Sequence, residues 1–440
     1  MNLLIRRDGY SVLCFILIAL LLSLAVPVFS QAPEEVIPPC FTGSELDKVR
    51  EWEKTWVGKK VGLANVDQLK DFLPDTLFQM MKEPKKWGAD ELWFETVPYQ
   101  YCAPSKGMVE ATKKYSPLSK FEPNGFKTPW GEVSPNELLA GYLDGKVAGY
   151  PFPRPKTGLE MAWNLDANTY GDNHQRAIFG SPVNCRTGAE RHAWQPQTYL
   201  YWTGRVDVPP TPRIENNPKK IRRTLLMTLI EPPETYGTKV LELIYADPRK
   251  EEDMYVWTAM FRRIRRMTAS QRGDTVDSAD QAYSDSINYA DQINRNTYKF
   301  LEVRDMLACR HQDGKKLTRA TGQGFFNGQQ RERCKLYLIE VVSKDKKYVY
   351  PKELWYLDGE TWQMPYKQCW DRQGRVWRFL DSQLGYLMSI QGNPVAFPIA
   401  YNYVDVQALH GCPNNFKDPK FGMELKTDMF TVQNLQRSGY

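Results

Sequence analysis

The hydrophobic pattern divides the chain into an apolar leader, a helical region and a long region of alternating positions. Val12–Val28 is almost wholly apolar and follows Arg6 and Arg7, while Ser30 ends a short stretch suited to signal cleavage. We therefore predict that residues 1–30 are a secretory signal peptide. A retained membrane anchor is the alternative, because the apolar run is about as long as a short membrane span.

Helical spacing dominates the region that follows the leader. Leu46, Val49, Trp52 and Trp56 lie three or four residues apart and predict one buried helix face. Three further short helices are predicted at 67–72, 75–81 and 134–143. We assign residues 31–145 to a helical N-terminal region.

A proline-rich segment separates this region from the next helix. Residues 150–155 read Tyr-Pro-Phe-Pro-Arg-Pro, and three prolines so close together exclude a helix. Thr157 and Glu160 then have the spacing of a capping box, in which each side chain bonds the other residue's backbone amide. This pair predicts a helix over residues 161–165.

From about residue 195 the pattern is typical of β-strands. The predicted strands cover 199–208, 222–230, 240–246, 254–267, 334–342, 350–357, 361–369 and 375–380. Asp358-Gly359 predicts a tight hairpin, and residues 371–374 predict a second turn. Hairpins in succession indicate an antiparallel meander, not a parallel sheet.

These elements predict an α+β fold with one large antiparallel sheet. Residues 146–440 are assigned to the β domain, with a long polar crossover or flap at 268–297. The last stretch, 381–440, is predicted to be an irregular wrap around the sheet.

Composition narrows the class of protein. The chain is 42% hydrophobic and 25% charged, as expected for a folded globular protein. Its net charge of +6 is mild and does not indicate nucleic-acid binding, although it permits weak attraction to anionic membrane surfaces. Aromatic residues reach 13%, with 13 Trp and 24 Tyr, which suits ligand cavities and half-wet surfaces as well as a large sheet core.

Strand aromatics are the candidates for a ligand cavity. If the helices do not fill the concave side of a curved sheet, a lipid-sized apolar pocket remains. Plain core packing explains each of these residues as well, and Trp163 is also a candidate for a lid. The candidates are Trp163, Trp202, Trp257, Phe261, Trp355, Tyr356 and Trp362.

A basic cluster ends one predicted strand. Its members are Arg262, Arg263, Arg265 and Arg266. Because side chains alternate along a strand, we expect them on both of its sides. They form either a basic lip that meets acidic headgroups or an acidic partner, or simply a solvated strand end.

Cysteines indicate an oxidising compartment. Cys14 leaves with the leader, and seven cysteines remain. An exported protein is expected to pair most of its cysteines, and an odd number leaves at least one without a partner in the chain. The pairs we expect are Cys40–Cys102, Cys309–Cys334 and Cys369–Cys412, although sequence alone does not determine the connectivity.

Catalytic motifs are missing from the sequence. It has no GxSxG, HExxH, P-loop or GxGxxG pattern. His192 near Cys185 has the residue types of a nucleophile and base, but two unrelated loop residues are the simpler interpretation. A hairpin turn likewise explains Asp358 and Glu360 better than a carboxylate pair does. We predict no catalytic residue, metal or cofactor.

Three blocks of sequence resemble a known family. The first block contains Tyr150, Pro151, Phe152, Pro153, Gly158, Trp163 and Asn164. The second runs over residues 253–266, and the third over residues 355–378. Together they resemble a large bacterial family of unknown function that is described as outer-membrane lipoprotein-sorting-like. Cys369 departs from the pattern, since many relatives have Tyr near this position.

This resemblance implies a fold similar to LolA and LolB, the periplasmic carriers of lipoproteins. Such proteins are curved antiparallel half-barrels closed by helices, with an apolar cavity between. The resemblance implies a binding protein, with resistance-nodulation-type pumps and outer-membrane proteins as partners. It supplies no ligand or catalytic residue.

Together, these observations predict an exported protein of the periplasm or outer-membrane periphery that carries or chaperones a lipid or other hydrophobic ligand. Two alternatives stay open. One is an exported hydrolase of glycans or lipids, and the other is a structural adaptor whose interior is filled by its own side chains.

Overall fold

The computed structural model describes residues 36–128, 131–267, 273 and 281–437. The predicted signal peptide, with Cys14, lies outside the described residues. The α-helices of the described chain are α1 Gly43–Trp56, α2 Asp75–Lys82, α3 Lys106–Tyr115, α4 Gly158–Asp166 and α5 Val432–Arg437. Within that part of the chain, no helix is both long enough and apolar enough to cross a membrane.

Strands make up most of the molecule. Those before residue 200 are β1 Lys60–Val61, β2 Phe94–Thr96, β3 Phe126–Thr128, β4 Gly131–Val133, β5 Asn173–Gly180, β6 Val183–Asn184, β7 Ala189–Glu190 and β8 Ala193–Tyr201. The central ones are β9 Ile221–Thr228, β10 Lys239–Tyr245, β11 Asp253–Thr258, β12 Arg263–Met267 and β13 Asn296–Ala308. The last are β14 Gln329–Ser343, β15 Lys352–Asp358, β16 Tyr366–Trp370, β17 Val376–Met388, β18 Pro394–Asp405 and β19 His410–Phe421.

Two antiparallel meanders form the main sheet. The first runs in the order β5, β8, β9, β10, β11, β12, and the second runs from β13 to β19 in chain order. β19 pairs with β5, so the last strand of the second meander joins the first strand of the first. Among the described strands, β12 and β13 are therefore the two outer edges of an open sheet. The predicted α+β fold with one large antiparallel sheet is confirmed.

The N-terminal region is built into this sheet. β1 pairs with β2, and β2 pairs in parallel with the start of β14. The predicted helices at 75–81 and 161–165 are confirmed as α2 and α4, and 67–72 is a 3₁₀-helix over Val66–Phe72. The predicted helix at 134–143 is wrong: Asn136 and Gly141 have positive φ angles, which a helix does not allow.

Three strand predictions need correction. The predicted strand 254–267 is a hairpin of β11 and β12, with Phe261 in its turn and Arg262 at φ 49°. The predicted wrap 381–440 contains most of β17 and all of β18 and β19. Asp358 does not open a two-residue hairpin, because its carboxylate accepts backbone N–H bonds within the next three residues and pairing resumes only at Tyr366.

None of the predicted disulfides is formed. The thiols of Cys40, Cys102, Cys309, Cys334 and Cys369 are free. The β13–β14 register places Cys334 opposite the residue three positions before Cys309, an offset of about 10 Å along the strand. The strands that carry the third predicted pair, β16 and β19, are separated by two others, or about 14 Å. Both separations exceed the reach of a disulfide.

One face of the sheet, which we call the inner face, carries Tyr199, Leu225, Phe397 and Phe416. The described part of the crossover, residues 281–295, packs on it.

Asp285 anchors this segment. Its carboxylate pairs with Lys367 and accepts hydrogen bonds from the hydroxyls of Tyr350 (2.9 Å) and Tyr403 (2.6 Å). The polar crossover is therefore held against the sheet by a buried network of charge-assisted bonds.

Candidate functional site

The aromatic residues proposed for a cavity do not meet at one place. Trp163, Trp355 and Trp362 lie in the core under α4. The others lie elsewhere: Trp202 and Trp257 in the core on the opposite face of the first meander, Tyr356 under the N-terminal helices, and Phe261 at a turn with 56% of its surface exposed. A shared cavity wall is therefore not formed by this set.

The motif around residue 150 docks α4 onto the sheet. Asn164 is fully buried, and its side-chain amide bonds both the backbone N–H (3.0 Å) and the carbonyl (2.7 Å) of Phe152. A Cβ on Gly158 would lie only 3.0 Å from the backbone of β13, so glycine permits the close approach of helix and strand. Tyr150 and Trp163 each donate a hydrogen bond to a backbone carbonyl, at 3.0 and 3.2 Å. These contacts are architectural.

The basic cluster alternates about the β11–β12 hairpin as expected. Arg263 and Arg265 share a side with the inner-face residue Val256, because cross-strand neighbours point the same way. Arg266 points to the other side and pairs with Asp253. All four arginines are exposed, and none of them lines either of the two cavities described below.

A narrow cavity with about 50 Å³ of free space lies on the inner face of the first meander. Its walls come from β5, β8, β9, β18 and β19, and residues of the crossover close one side. The lining is mostly apolar and includes Ile178, Gly180, Pro182, Ala193, Leu225, Met227 and Tyr401. Its polar members include Gln195, Gln197, Gln281 and Asn414.

A polar cluster adjoins this cavity. We call it the Arg176 cluster; it consists of His174, Arg176, Tyr199 and Arg223, all on the inner face and all nearly inaccessible to solvent. The β5–β8–β9 register places Arg176 and Gln197 in one row, with His174 and Tyr199 in the next. Because Gln197 also lines the cavity, the cavity runs directly into the cluster.

Arg176 is held by neutral partners. Its Nε and Nη2 donate to Gln197 Oε1 at 3.1 and 3.0 Å, and its guanidinium lies 4.3 Å from the ring centre of Phe416. Arg223 lies 5.9 Å from the ring of Tyr199. No carboxylate of the described residues forms an ion pair with Arg176 or Arg223.

Several polar atoms of this cluster have no hydrogen-bond partner in the described chain. They are Nη1 of Arg176, Nε of Arg223 and both ring nitrogens of His174. His174 stacks on Tyr199 with ring centres 4.5 Å apart. Burial lowers the pKa of His174, and the two neighbouring arginines lower it further, so its imidazole is neutral. Buried polar atoms are normally satisfied, so this group of unsatisfied atoms requires an explanation.

Glu242 in β10, directly opposite Leu225, is an acidic group whose charge acts on Arg223. Burial raises the pKa of Glu242 to about 7, although the charge of Arg223 opposes the shift. At neutral pH this carboxyl therefore compensates the two arginines only in part.

A second constellation lies at a polar cavity with about 50 Å³ of free space, which is also lined by Tyr170, a ring neighbour of His174. Cys102 lines it, with Sγ 3.6 Å from Nε2 of His311, while Nδ1 of His311 is 2.6 Å from Oε1 of Glu332. Burial raises the pKa of the Cys102 thiol. Asp207 lines the same cavity, and burial raises its pKa to about 6.

Comparison with known proteins places the chain in a family. A family model described as a protein of unknown function, DUF1329, matches residues 61–436. The chain belongs to the DUF1329 family. The family suggested by the sequence motifs is thereby confirmed. No curated protein matches the chain significantly.

Solved structures of similar proteins include other DUF1329 and LolA-type chains. A putative outer membrane lipoprotein-sorting protein domain from Vibrio parahaemolyticus is 15% identical, with a TM-score of 0.46 over 64% of this chain and 98% of that one. A DUF1329 family protein from Desulfovibrio piger is 14% identical, with a TM-score of 0.46 over 63% and 97%. A LolA superfamily protein from Nitrosomonas europaea is 12% identical, with a TM-score of 0.41 over 64% and 100%.

Sequence reasoning missed the Arg176 cluster. The only signal was the alternation His174-x-Arg176-x-Ile178, which is also typical of a strand with its polar side in water. Both sides of β5 and β8 carry polar and apolar residues, so the pattern did not identify the buried face. The Cys102–His311–Glu332 constellation was missed because its members lie on separate elements far apart in the chain.

Proposed function

We propose that this DUF1329 protein is an exported binding protein that holds a hydrophobic ligand on the inner face of its sheet. The observation that carries the proposal is the inner-face cavity with its apolar wall of Ile178, Leu225 and Met227. Such a wall stabilises a bound apolar chain by about 25 cal/mol for each Å² removed from water. The proposed location is the periplasm or the outer-membrane periphery.

Release of such a ligand requires help. Water does not extract an apolar molecule from an apolar site, because the transfer reverses the gain of burial. A carrier of this kind therefore hands its ligand to a partner, or opens next to one. A resistance-nodulation-type pump and an outer-membrane protein are the partner classes that we propose.

Native mass spectrometry of the mature protein tests the proposal, together with binding of the apolar fluorophore N-phenyl-1-naphthylamine. Ala193 lines the cavity, so Ala193→Phe should fill part of it and weaken fluorophore binding several-fold. Ala177→Phe is the matched control, since Ala177 lies on the neighbouring strand β5 but points to the opposite face. An interior without co-purified lipid that also takes up no fluorophore would favour the structural adaptor instead.

A second candidate function, an exported hydrolase, is favoured by the Cys102–His311–Glu332 geometry. With its Nδ1 proton donated to Glu332, His311 offers Nε2 to the thiol. Nε2 takes the thiol proton as Sγ attacks an ester carbonyl, and returns that proton to the departing alcohol. Water then hydrolyses the thioester, which releases the acid and restores the thiol.

Ester hydrolysis distinguishes this candidate from the carrier. p-Nitrophenyl esters of different chain lengths would be assayed with the wild type, Cys102→Ser and Cys309→Ser. Cys309 is the control, because its thiol is equally buried but contacts no histidine among the described residues. Turnover that Cys102→Ser abolishes and Cys309→Ser retains supports the hydrolase. Absence of turnover in the wild type removes it.

A further inference from the structure

We propose that the inner-face site selects amphiphiles that carry an anionic oxygen group, and that the Arg176 cluster binds this group while the cavity holds the apolar chain. The proposal rests on the proposed function and adds the chemical class of the ligand. A long-chain carboxylate is the simplest member of the class.

Among the described residues, Arg176 has no carboxylate within ion-pair distance. Two other buried arginines face carboxylates: Arg295 pairs with Glu252, and Arg331 pairs with Asp381, both at 2.8 Å. Arg176 is just as inaccessible, with 2% of its surface exposed, but it has only neutral partners. Burying a charge without compensation is costly, and a bound anion would remove that cost.

The side chains of the Arg176 cluster have hydrogen-bond donors without a partner in the described chain. Gln197 takes Nε and Nη2 of Arg176, which leaves Nη1 without a partner. Arg223 keeps Nε unbonded, and His174 adds a neutral ring with a nitrogen that can donate. Guanidinium groups bind carboxylate and phosphate oxygens through short, charge-assisted bonds. The unused hydrogen-bonding capacity therefore fits an anion better than a neutral hydroxyl.

Aromatic rings surround the guanidinium of Arg176. The Arg176 guanidinium lies 5.2 Å from the ring centres of Tyr199 and Phe397 and 4.3 Å from that of Phe416. Contacts of this kind stabilise the cation through the ring faces without occupying its N–H groups. The rings therefore fix the position of the guanidinium before any ligand arrives, which lowers the entropic cost of binding.

The inner-face cavity is continuous with the Arg176 cluster along two strands. Along β8, Gln195 and Gln197 line the cavity, and Tyr199 follows on the same face. Along β9, Met227 and Leu225 line it, and the next inner-face residue is Arg223. Rows on one face are about 7 Å apart, so a chain lying along the cavity brings its end group to the cluster within one or two rows.

Competition binding with the mature full-length protein tests this inference. Dodecanoate, dodecanol and acetate would each displace N-phenyl-1-naphthylamine at constant pH and salt. We expect dodecanoate to bind about tenfold or more tightly than dodecanol, as one or two charge-assisted hydrogen bonds provide. Acetate, which has the charge without the chain, should not displace the fluorophore. Displacement by acetate would show a site for small free anions and would overturn the proposal.

Variants locate the effect. Arg176→Met should reduce the preference for dodecanoate to within about twofold, without weakening dodecanol binding. Arg378→Met is the matched control: Arg378 is also buried on the inner face, but it donates to Tyr350 at 2.7 Å, whereas Arg176 bonds the cavity residue Gln197. It should keep the wild-type preference. Loss of preference in the control, or an unchanged preference in Arg176→Met, would overturn the assignment.

The outcomes also separate the two proposals. Equal affinity of the wild type for dodecanoate and dodecanol overturns the headgroup inference and leaves the carrier in place, because buried waters then satisfy the donors. Failure of the wild type to bind the fluorophore or either amphiphile overturns the carrier itself. This comparison uses the wild type alone, so it stands even if Arg176→Met does not fold.

Discussion

Two groups of buried arginines, one in each meander, have different partners. At the end of β13, Arg310 pairs with Asp358 at 2.8 Å and also with Glu360. In the first meander, Arg176 and Arg223 reach comparable burial without an ion pair in the described chain. Arginine therefore forms buried ion pairs at Arg310, whereas Arg176 and Arg223 have no carboxylate within ion-pair distance among the described residues.

This difference assigns different work to the two regions. Around Arg310, the carboxylate of Glu360 also accepts the backbone N–H groups of Cys40 (2.6 Å) and Cys102 (2.9 Å). That network links the N-terminal segment to the β15–β16 connection, so its role is structural. The Arg176 cluster ties no distant segments together through carboxylates. Its chemistry is available to a ligand.

The largest effect should follow from Arg310→Met. The substitution leaves Asp358 and Glu360 buried without their cation, and breaking a buried ion pair in this way costs about 3–5 kcal/mol. Urea denaturation should therefore show the free energy of unfolding falling by that amount. Arg304→Met, on the exposed side of β13, is the control and should change it by no more than about 0.5 kcal/mol. An equally small change for Arg310→Met would remove the contrast between the meanders.

Sequence patterns predicted part of this contrast. The capping box at Thr157, the antiparallel strands and the family were accessible because each depends on local spacing or on short motifs. The strands of 381–440 were missed because polar residues such as Asp381 and Asn402 are buried inside them, which hides the hydrophobic alternation.

The site was less accessible than the fold. An arginine in a strand looks the same in sequence whether its partner is water, a carboxylate or an aromatic ring. The environment of Arg176 depends on Phe416, which is 240 positions later in the chain. The β5–β19 pairing brings the two residues together. The predicted aromatic set failed to converge for a related reason: periodicity shows that a residue is buried, but not on which face of a two-sided sheet.

A medium effect should come from the pH dependence of stability. Burial raises the pKa of Glu242 to about 7 in the folded protein, against about 4.3 in the unfolded chain. Between these values the folded state keeps a proton that the unfolded state has lost, so stability falls as pH rises through this window. Glu242→Gln should remove up to about 1.4 kcal/mol per pH unit of that slope.

Thermal unfolding at several pH values between 5 and 8 measures this slope. Glu353 titrates in the same window, since burial raises its pKa to about 7 too, so the variant is compared with the wild type at each pH. Glu251→Gln, in an exposed loop, should leave the slope unchanged. A slope in Glu242→Gln as steep as that of the wild type would mean that Glu242 is ionised and compensates Arg223 after all, which would weaken the contrast with Arg310.

The smallest effect is expected for Arg176→Met in the ligand-free protein. Methionine keeps the contact with Phe416 and removes an uncompensated charge, while Gln197 Oε1 retains the hydroxyl donor of Tyr199 at 3.2 Å. Replacing a buried charged group by an apolar one of similar length is often neutral or stabilising, so the free energy of unfolding should fall by less than about 1 kcal/mol or rise. Urea denaturation of delipidated protein measures it, because bound ligand would stabilise the wild type by mass action. A loss of about 3–5 kcal/mol, equal to that of Arg310→Met, would make Arg176 a structural residue like Arg310. The first meander would then have no charge available to bind a ligand.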